Sequence, residues 1–265
     1  MKQQLILAIT LALVPVLHAE GPGDDVKAAS KKLAAGSYSW TTSTPGRDGG
    51  QGGVSVEGKT DKSGAVLLTT KFGDRTSETV IKAGKAAVKT EEGWKSGEEL
   101  AAASEGGGGG NRRGGGFAAR MAETFKAPAS DAEALAGGVK ELKKDGDAIS
   151  GELTEEALKA RPGFGGRGRG GNNNQPAPTT NSKGTVKFWI KDGVLAKYEV
   201  TVSGTRDRDG TPTDFSRTTT TEIKDAGTAT LEIPAEASAK LPAGDAKPEE
   251  KKAEDKPATE KKTDA

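Results

Sequence analysis

Apolar and polar residues alternate with period two along two adjoining runs, Gly184 to Lys191 and Val194 to Gly204. Successive side chains of a strand point to opposite faces, so Val186, Phe188 and Ile190 share one face of the first run. On the second run Val194, Ala196, Tyr198, Val200 and Val202 share a face, while Lys187, Lys191, Lys197, Glu199 and Thr201 take the other. The two runs meet at Asp192-Gly193, a pair that favours the positive backbone angles of a two-residue hairpin turn. Asp214 to Lys224, rich in threonine, predicts a further strand, and Thr228 to Ile233 another before Pro234. The stretch from Lys183 to Ile233 thus predicts an antiparallel sheet.

Upstream, Ser37 to Ser43 alternates so that Tyr38 and Trp40 share a face. Val54 to Lys59, Ala65 to Phe72, Ser77 to Lys82 and Ala86 to Thr90 continue the series, with Gly and Asp in the gaps, as in a meander of short strands. Helical composition marks Asp24 to Ala35, Ser96 to Ala103, Phe117 to Lys126, Ser130 to Ala136 and Thr154 to Ala160. Ser130 with Glu133 has capping-box spacing, and Lys140 to Leu153 predicts a hairpin about Lys144-Asp-Gly146. Strands, helices, then strands predict an α+β fold with helices packed over one antiparallel sheet.

Two segments cannot contribute to a core. They are the Gly/Arg-rich stretches 106–116 and 161–181, read as mobile loops. Each doubling of a flexible loop costs only about 0.6 kcal/mol of closure entropy, so one domain can carry both. Residues 242–265 are Pro, Ala, Lys, Glu and Asp with little else and read as a disordered tail. Residues 1–19 combine Lys2, an apolar run from Leu5 to Leu17 and a small residue at Ala19, the form of a signal peptide. The run is shorter than the ~18–20 apolar residues that span a bilayer. The expectation is export, to the periplasm or beyond, of a single domain covering 20–241.

Composition narrows the chemistry. The chain has no cysteine, which removes disulfides, thiolate metal sites and cysteine nucleophiles. Its one histidine, His18, falls in the signal segment, leaving no imidazole for a serine triad or a zinc site. Paired carboxylates remain formally able to act, but most acids here are solvated. The formal net charge is only +1, so no global field steers the chain to nucleic acid. We expect no enzyme and no cofactor.

Gly163-Phe-Gly-Gly-Arg-Gly168 matches the dinucleotide fingerprint in letters alone, because no strand precedes it and no helix follows. Arg112, Arg113, Arg167 and Arg169 in glycine resemble arginine-glycine RNA-binding tails. Four arginines and one aromatic, Phe164, are too few for strong phosphate binding, so solvated loops are the better reading. Trp40, Trp94 and Trp189 stand out where aromatics are 4% of residues. Core packing accounts for them; a wide apolar concavity is the sharper alternative.

Ala86 to Lys95, Val186 to Tyr198 and Thr218 to Pro234, taken with the order of strands and helices, resemble the periplasmic lipoprotein-carrier superfamily (LolA-like and LppX-like). The resemblance implies a strongly curved antiparallel sheet, an open half-barrel, with helices on its concave face and an apolar cavity for acyl chains. Trp40, Leu67, Phe125, Phe188, Ile190, Tyr198 and Val200 are the cavity candidates on that reading. It makes the protein an exported, non-enzymatic carrier or binding module for lipid or lipoprotein acyl chains. The alternative is a structural, envelope-associated protein with a solid core.

Overall fold

The computed structural model describes residues 21–46, 53–105, 123–161, 179–208 and 211–241. The expected signal peptide, the 106–116 loop, most of the Phe117 to Lys126 helix, most of the 161–181 loop and the tail lie outside the described residues. Within the last loop, 179–181 already belong to a strand.

Among the described residues eleven antiparallel strands form one open sheet in the order β6-β5-β4-β3-β2-β1-β11-β10-β9-β8-β7. The first six are Tyr38–Thr44, Val54–Thr60, Val66–Phe72, Arg75–Lys82, Lys85–Thr90 and Gly93–Ser96. The rest are Val139–Asp145, Ala148–Leu153, Thr179–Lys191, Val194–Arg208 and Thr211–Lys224. All neighbours are also neighbours in sequence except β1 and β11, which join the two meanders from Ser39↔Lys224 to Ser43↔Thr220. The sheet edges β6 and β7 are then consecutive strands, and the chain between them supplies helices α2 (Gly97–Glu105) and α3 (Pro128–Gly137). Helix α1 (Pro22–Ala34) precedes the sheet, α4 (Glu155–Lys159) follows β8 and α5 (Ala235–Ala239) follows β11. This is the open, curved α+β architecture that the LolA-like resemblance implies.

Local chemistry explains most boundaries. Asp192 and Gly193 take φ of 53° and 70°, the pair of positive angles that a type I′ turn requires. In α1, Pro22 stands in the first turn with Asp24 and Asp25, and Lys31 and Lys32 close the last turn, complementing the helix dipole at both ends. Its buried residues, Val26, Ala29, Ser30 and Leu33, form one stripe at three-to-four spacing.

Four expectations are corrected. The face of β10 changes phase, because a bulge between Leu195 and Lys197 buries Leu195 completely while Ala196 is only half-buried. Thr228 to Ile233 pairs with no strand; instead Ile233 packs beneath α5. Ser130 is not a cap, since Pro128 starts α3 two residues earlier. The reciprocal capping box is at Ser96 and Glu99: Ser96 Oγ accepts from Glu99 N at 3.1 Å and Glu99 Oε2 accepts from Ser96 N at 2.7 Å. The last correction concerns Leu67 and is given with the site.

The core has two parts. On the concave face, Trp40, Val66, Leu68, Val186, Phe188, Tyr198 and Val200 meet Val26, Ala29 and Leu33 of α1 and Ala129, Ala132 and Leu135 of α3. A smaller cluster of Val80, Ala87, Trp94, Ala237 and Leu241 lies on the opposite face under α5.

Candidate functional site

The concave face is held to its helices by alanine contacts and by two tyrosine hydroxyls. Small residues let α1 and α3 approach the sheet closely, and Ala132 is fully buried there. Tyr38 Oη accepts from the backbone N–H of Ala129 at 3.3 Å, and Tyr198 Oη donates to Asp131 Oδ2 at 3.0 Å. Arg161 reaches the other oxygen of Asp131 at 3.6 Å. Burial pushes the phenol of Tyr198 well above its ordinary range, and the Asp131 charge adds to this. Burial likewise raises Tyr38, partly offset by its bond from Ala129.

An aromatic row runs through this layer. Tyr38 and Trp40 have ring centroids 5.6 Å apart, Trp40 stacks on Phe125 at 6.4 Å, and Phe188 meets Tyr198 at 6.3 Å. The Trp40 indole lies directly on Gly58 of β2, where a Cβ would come within 2.1 Å of the ring. Glycine is needed there because any side chain would occupy the space of the indole.

Six of the seven cavity candidates gather on this face. Trp40, Phe188, Tyr198 and Val200 are buried in the main cluster, and Phe125 and Ile190 pack half-buried against it. Leu67 does not join them: its neighbours Val66 and Leu68 point to the concave side, so strand alternation sends Leu67 to the cluster under α5. Of the three tryptophans, Trp94 also belongs to that second cluster, and Trp189 is half-buried on the convex face beneath Lys197, whose Nζ is 4.7 Å from the ring centroid. Only Trp40 is on the candidate face.

Open space borders the site at one end. A cleft of about 400 Å³ lies between α1 and the turns that follow β7 and β9. Its apolar wall is Ala28 and Ile190 backed by the buried Ala29, Ile149 and Phe188, and its rim is Asp25, Lys144 and Asp147. Sequence reasoning named Phe188 and Ile190 but missed the α1 residues and the β7–β8 turn, which are far away along the chain. It also missed Asp131 and Arg161; the former falls inside the predicted Ser130 to Ala136 helix and the latter opens the 161–181 stretch read as a loop. Among the described residues no group of three or more His, Cys, Asp or Glu side chains could hold a metal ion. Nor, among them, is any helix long and apolar enough to cross a membrane.

No family model matches this chain, and no curated protein matches it. Among solved structures it is similar to LprF from Mycobacterium bovis, at 13% identity over 82% of this chain and 97% of that one, with a TM-score of 0.44. It is also similar to a LolA superfamily protein from Nitrosomonas europaea, at 13% identity over 81% of this chain and 96% of that one, with a TM-score of 0.34.

Proposed function

We propose that this protein is an exported, non-enzymatic binding or carrier module that takes lipid or lipoprotein acyl chains in the cell envelope. The observation that carries this reading is the cleft beside α1. Its volume of about 400 Å³ is within the range of small-ligand sites, and its wall is apolar while its charges stand at the rim. An acyl chain fits that polarity: methylenes gain about 0.8 kcal/mol each on burial, and the head stays in water. The signal-peptide form of residues 1–19 supports the location.

The test is binding of a fluorescent fatty acid by the wild-type chain and by Ile190→Asp. Ile190 is half-buried at the cleft, so the carboxylate can stay hydrated and the fold should survive while binding is lost. A folded Ile190→Asp protein that binds the probe as well as wild type would defeat this reading.

A second reading is a structural, envelope-associated protein with a solid core. It is favoured by the burial of the candidate face, since Val186 and Phe188 are wholly inaccessible and Val200 is 2% exposed. Native mass spectrometry of the protein purified from a membrane-containing lysate separates the two: a carrier retains lipid adducts, and a solid sheet protein does not.

A further inference from the structure

The cleft beside α1 is closed on its inner side by packed side chains. Across strands β7 to β10 the pairs Lys144↔Ile149, Ile149↔Phe188 and Phe188↔Tyr198 stand in register, so these four residues share the concave face. Exposure falls inward along this row, from exposed Lys144 on the edge strand to Ile149 at 7% and Phe188 at 0%. Past Phe188 the face is filled: Val26 of α1, Ala132 of α3 and Val186 of β9 are fully buried in the same cluster. The length of a bound chain is therefore set by the cleft itself. A carbon with its hydrogens takes about the liquid volume of one water, ~30 Å³, so about 400 Å³ accommodates roughly 13 methylenes. That is one acyl chain and not two.

Charges of both signs stand at the mouth. Asp25 comes from the first turn of α1, Lys144 from the inward side of β7, and Asp147 from the turn between β7 and β8. The neighbouring Asp145 points the other way and pairs with Lys187 at 2.9 Å on the convex face. Lys32, further along α1, donates at 3.0 Å to the Asp192 carbonyl beside Gly193, which also lines the cleft. A second cleft, of about 580 Å³, lies at the opposite end of the sheet against β1 to β3 and shares no residue with this one. A second chain of the same molecule finds no continuation there.

We propose that the cleft takes a single-chain amphiphile with a zwitterionic head, a lysophospholipid, rather than a lipid with two or three chains. The chain lies on Ala28 and Ile190 over Phe188, and the head stays at the rim, its cation beside Asp25 and Asp147 and its phosphate beside Lys144. Apolar burial supplies the affinity, and the complementary charges supply the orientation. The inference rests on the acyl-chain reading above and adds the number of chains and the class of head.

The experiment is native mass spectrometry of the full chain after incubation with mixed vesicles. These carry equal amounts of lysophosphatidylethanolamine, lysophosphatidylglycerol and diacyl phosphatidylethanolamine, all with myristoyl chains. Wild type should retain one lysophosphatidylethanolamine per protein, with a preference on the order of tenfold over each of the other two. Ala28→Trp, at an exposed position on the cleft wall, should remove that adduct from a protein that stays folded by circular dichroism. Asp25→Asn with Asp147→Asn should turn the head preference towards the anionic lysolipid and leave the discrimination against two chains unchanged. Retention of the diacyl lipid as strongly as the lysolipid overturns the single-chain assignment and leaves the acyl-chain reading standing. Equal retention of the two lysolipids by wild type overturns the zwitterionic head. An adduct that survives Ala28→Trp overturns the cleft as its seat, and retention of none of the three lipids overturns the acyl-chain reading as well.

Discussion

Asp131, on α3, accepts a hydrogen bond from the buried hydroxyl of Tyr198 on β10, and this 3.0 Å contact ties the helical cover to the centre of the sheet. The partners are 67 residues apart, with Arg161 on the far carboxylate oxygen at 3.6 Å. Tyr198→Phe should destabilise the fold by about 1–3 kcal/mol, because it removes a bond to a charged group and leaves a partly buried carboxylate less well satisfied. Urea denaturation gives the size of the effect. Hydrogen exchange should quicken in α3 before it quickens in β10.

Tyr38 and Tyr198 are the chain's two tyrosines, and burial raises both phenols above their ordinary value. A raised phenol favours the protonated folded state, so the unfolded chain releases these protons first. Their contribution to stability is therefore fully present below the unfolded value of about 10 and is lost as pH rises above it towards the folded values. Tyrosinate absorbance in the native protein should lag behind that of the urea-unfolded chain on raising the pH. Matching titration curves for the two states would contradict the burial of both rings.

Gly58 lies under the indole of Trp40, and Gly58→Ala places a methyl where the ring now sits, 2.1 Å from its nearest carbon. The indole is buried and flanked by Tyr38 and Phe125, so it has little room to yield. Overpacking of this kind costs about 1–3 kcal/mol. A lowered melting temperature with altered tryptophan fluorescence is the expected result.

The Asp192-Gly193 turn is anchored from outside the hairpin, for Lys32 at the end of α1 donates to the Asp192 carbonyl at 3.0 Å. Gly193→Ala imposes a side chain on a residue at φ of 70°, at a cost of about 1–2 kcal/mol. Since the same turn borders the cleft, fatty-acid binding and stability should fall together in this variant.

Val200→Asp separates a filled face from an open one. Val200 is 2% exposed against the main cluster, so an unpaired carboxylate there should cost several kcal/mol and unfold the domain. A variant that stayed folded in circular dichroism would mean that water reaches Val200.

What could be read along the chain was whatever depends on nearest neighbours. Period-two alternation revealed the strands, Asp192-Gly193 revealed its hairpin, and the face of Phe188 and Val200 followed from parity. The absence of cysteine removed disulfides and thiolate sites before any coordinates. Parity is also where local reading failed, because a one-residue bulge at Leu195 to Lys197 turns over every position before it, and nothing in Val-Leu-Ala-Lys announces an unpaired residue. Tertiary structure alone decided the long-range choices. The pairing of β1 with β11 depends on two meanders meeting, and the acid that receives Tyr198 depends on how α3 is laid across them. Strand parity alone sends Leu67 to the face opposite Val66 and Leu68, but that this face is a second core, with Trp94, was decided by α5 returning to cover it. Each of these is a contact between residues far apart in sequence, whose free energy appears only when the whole sheet is assembled.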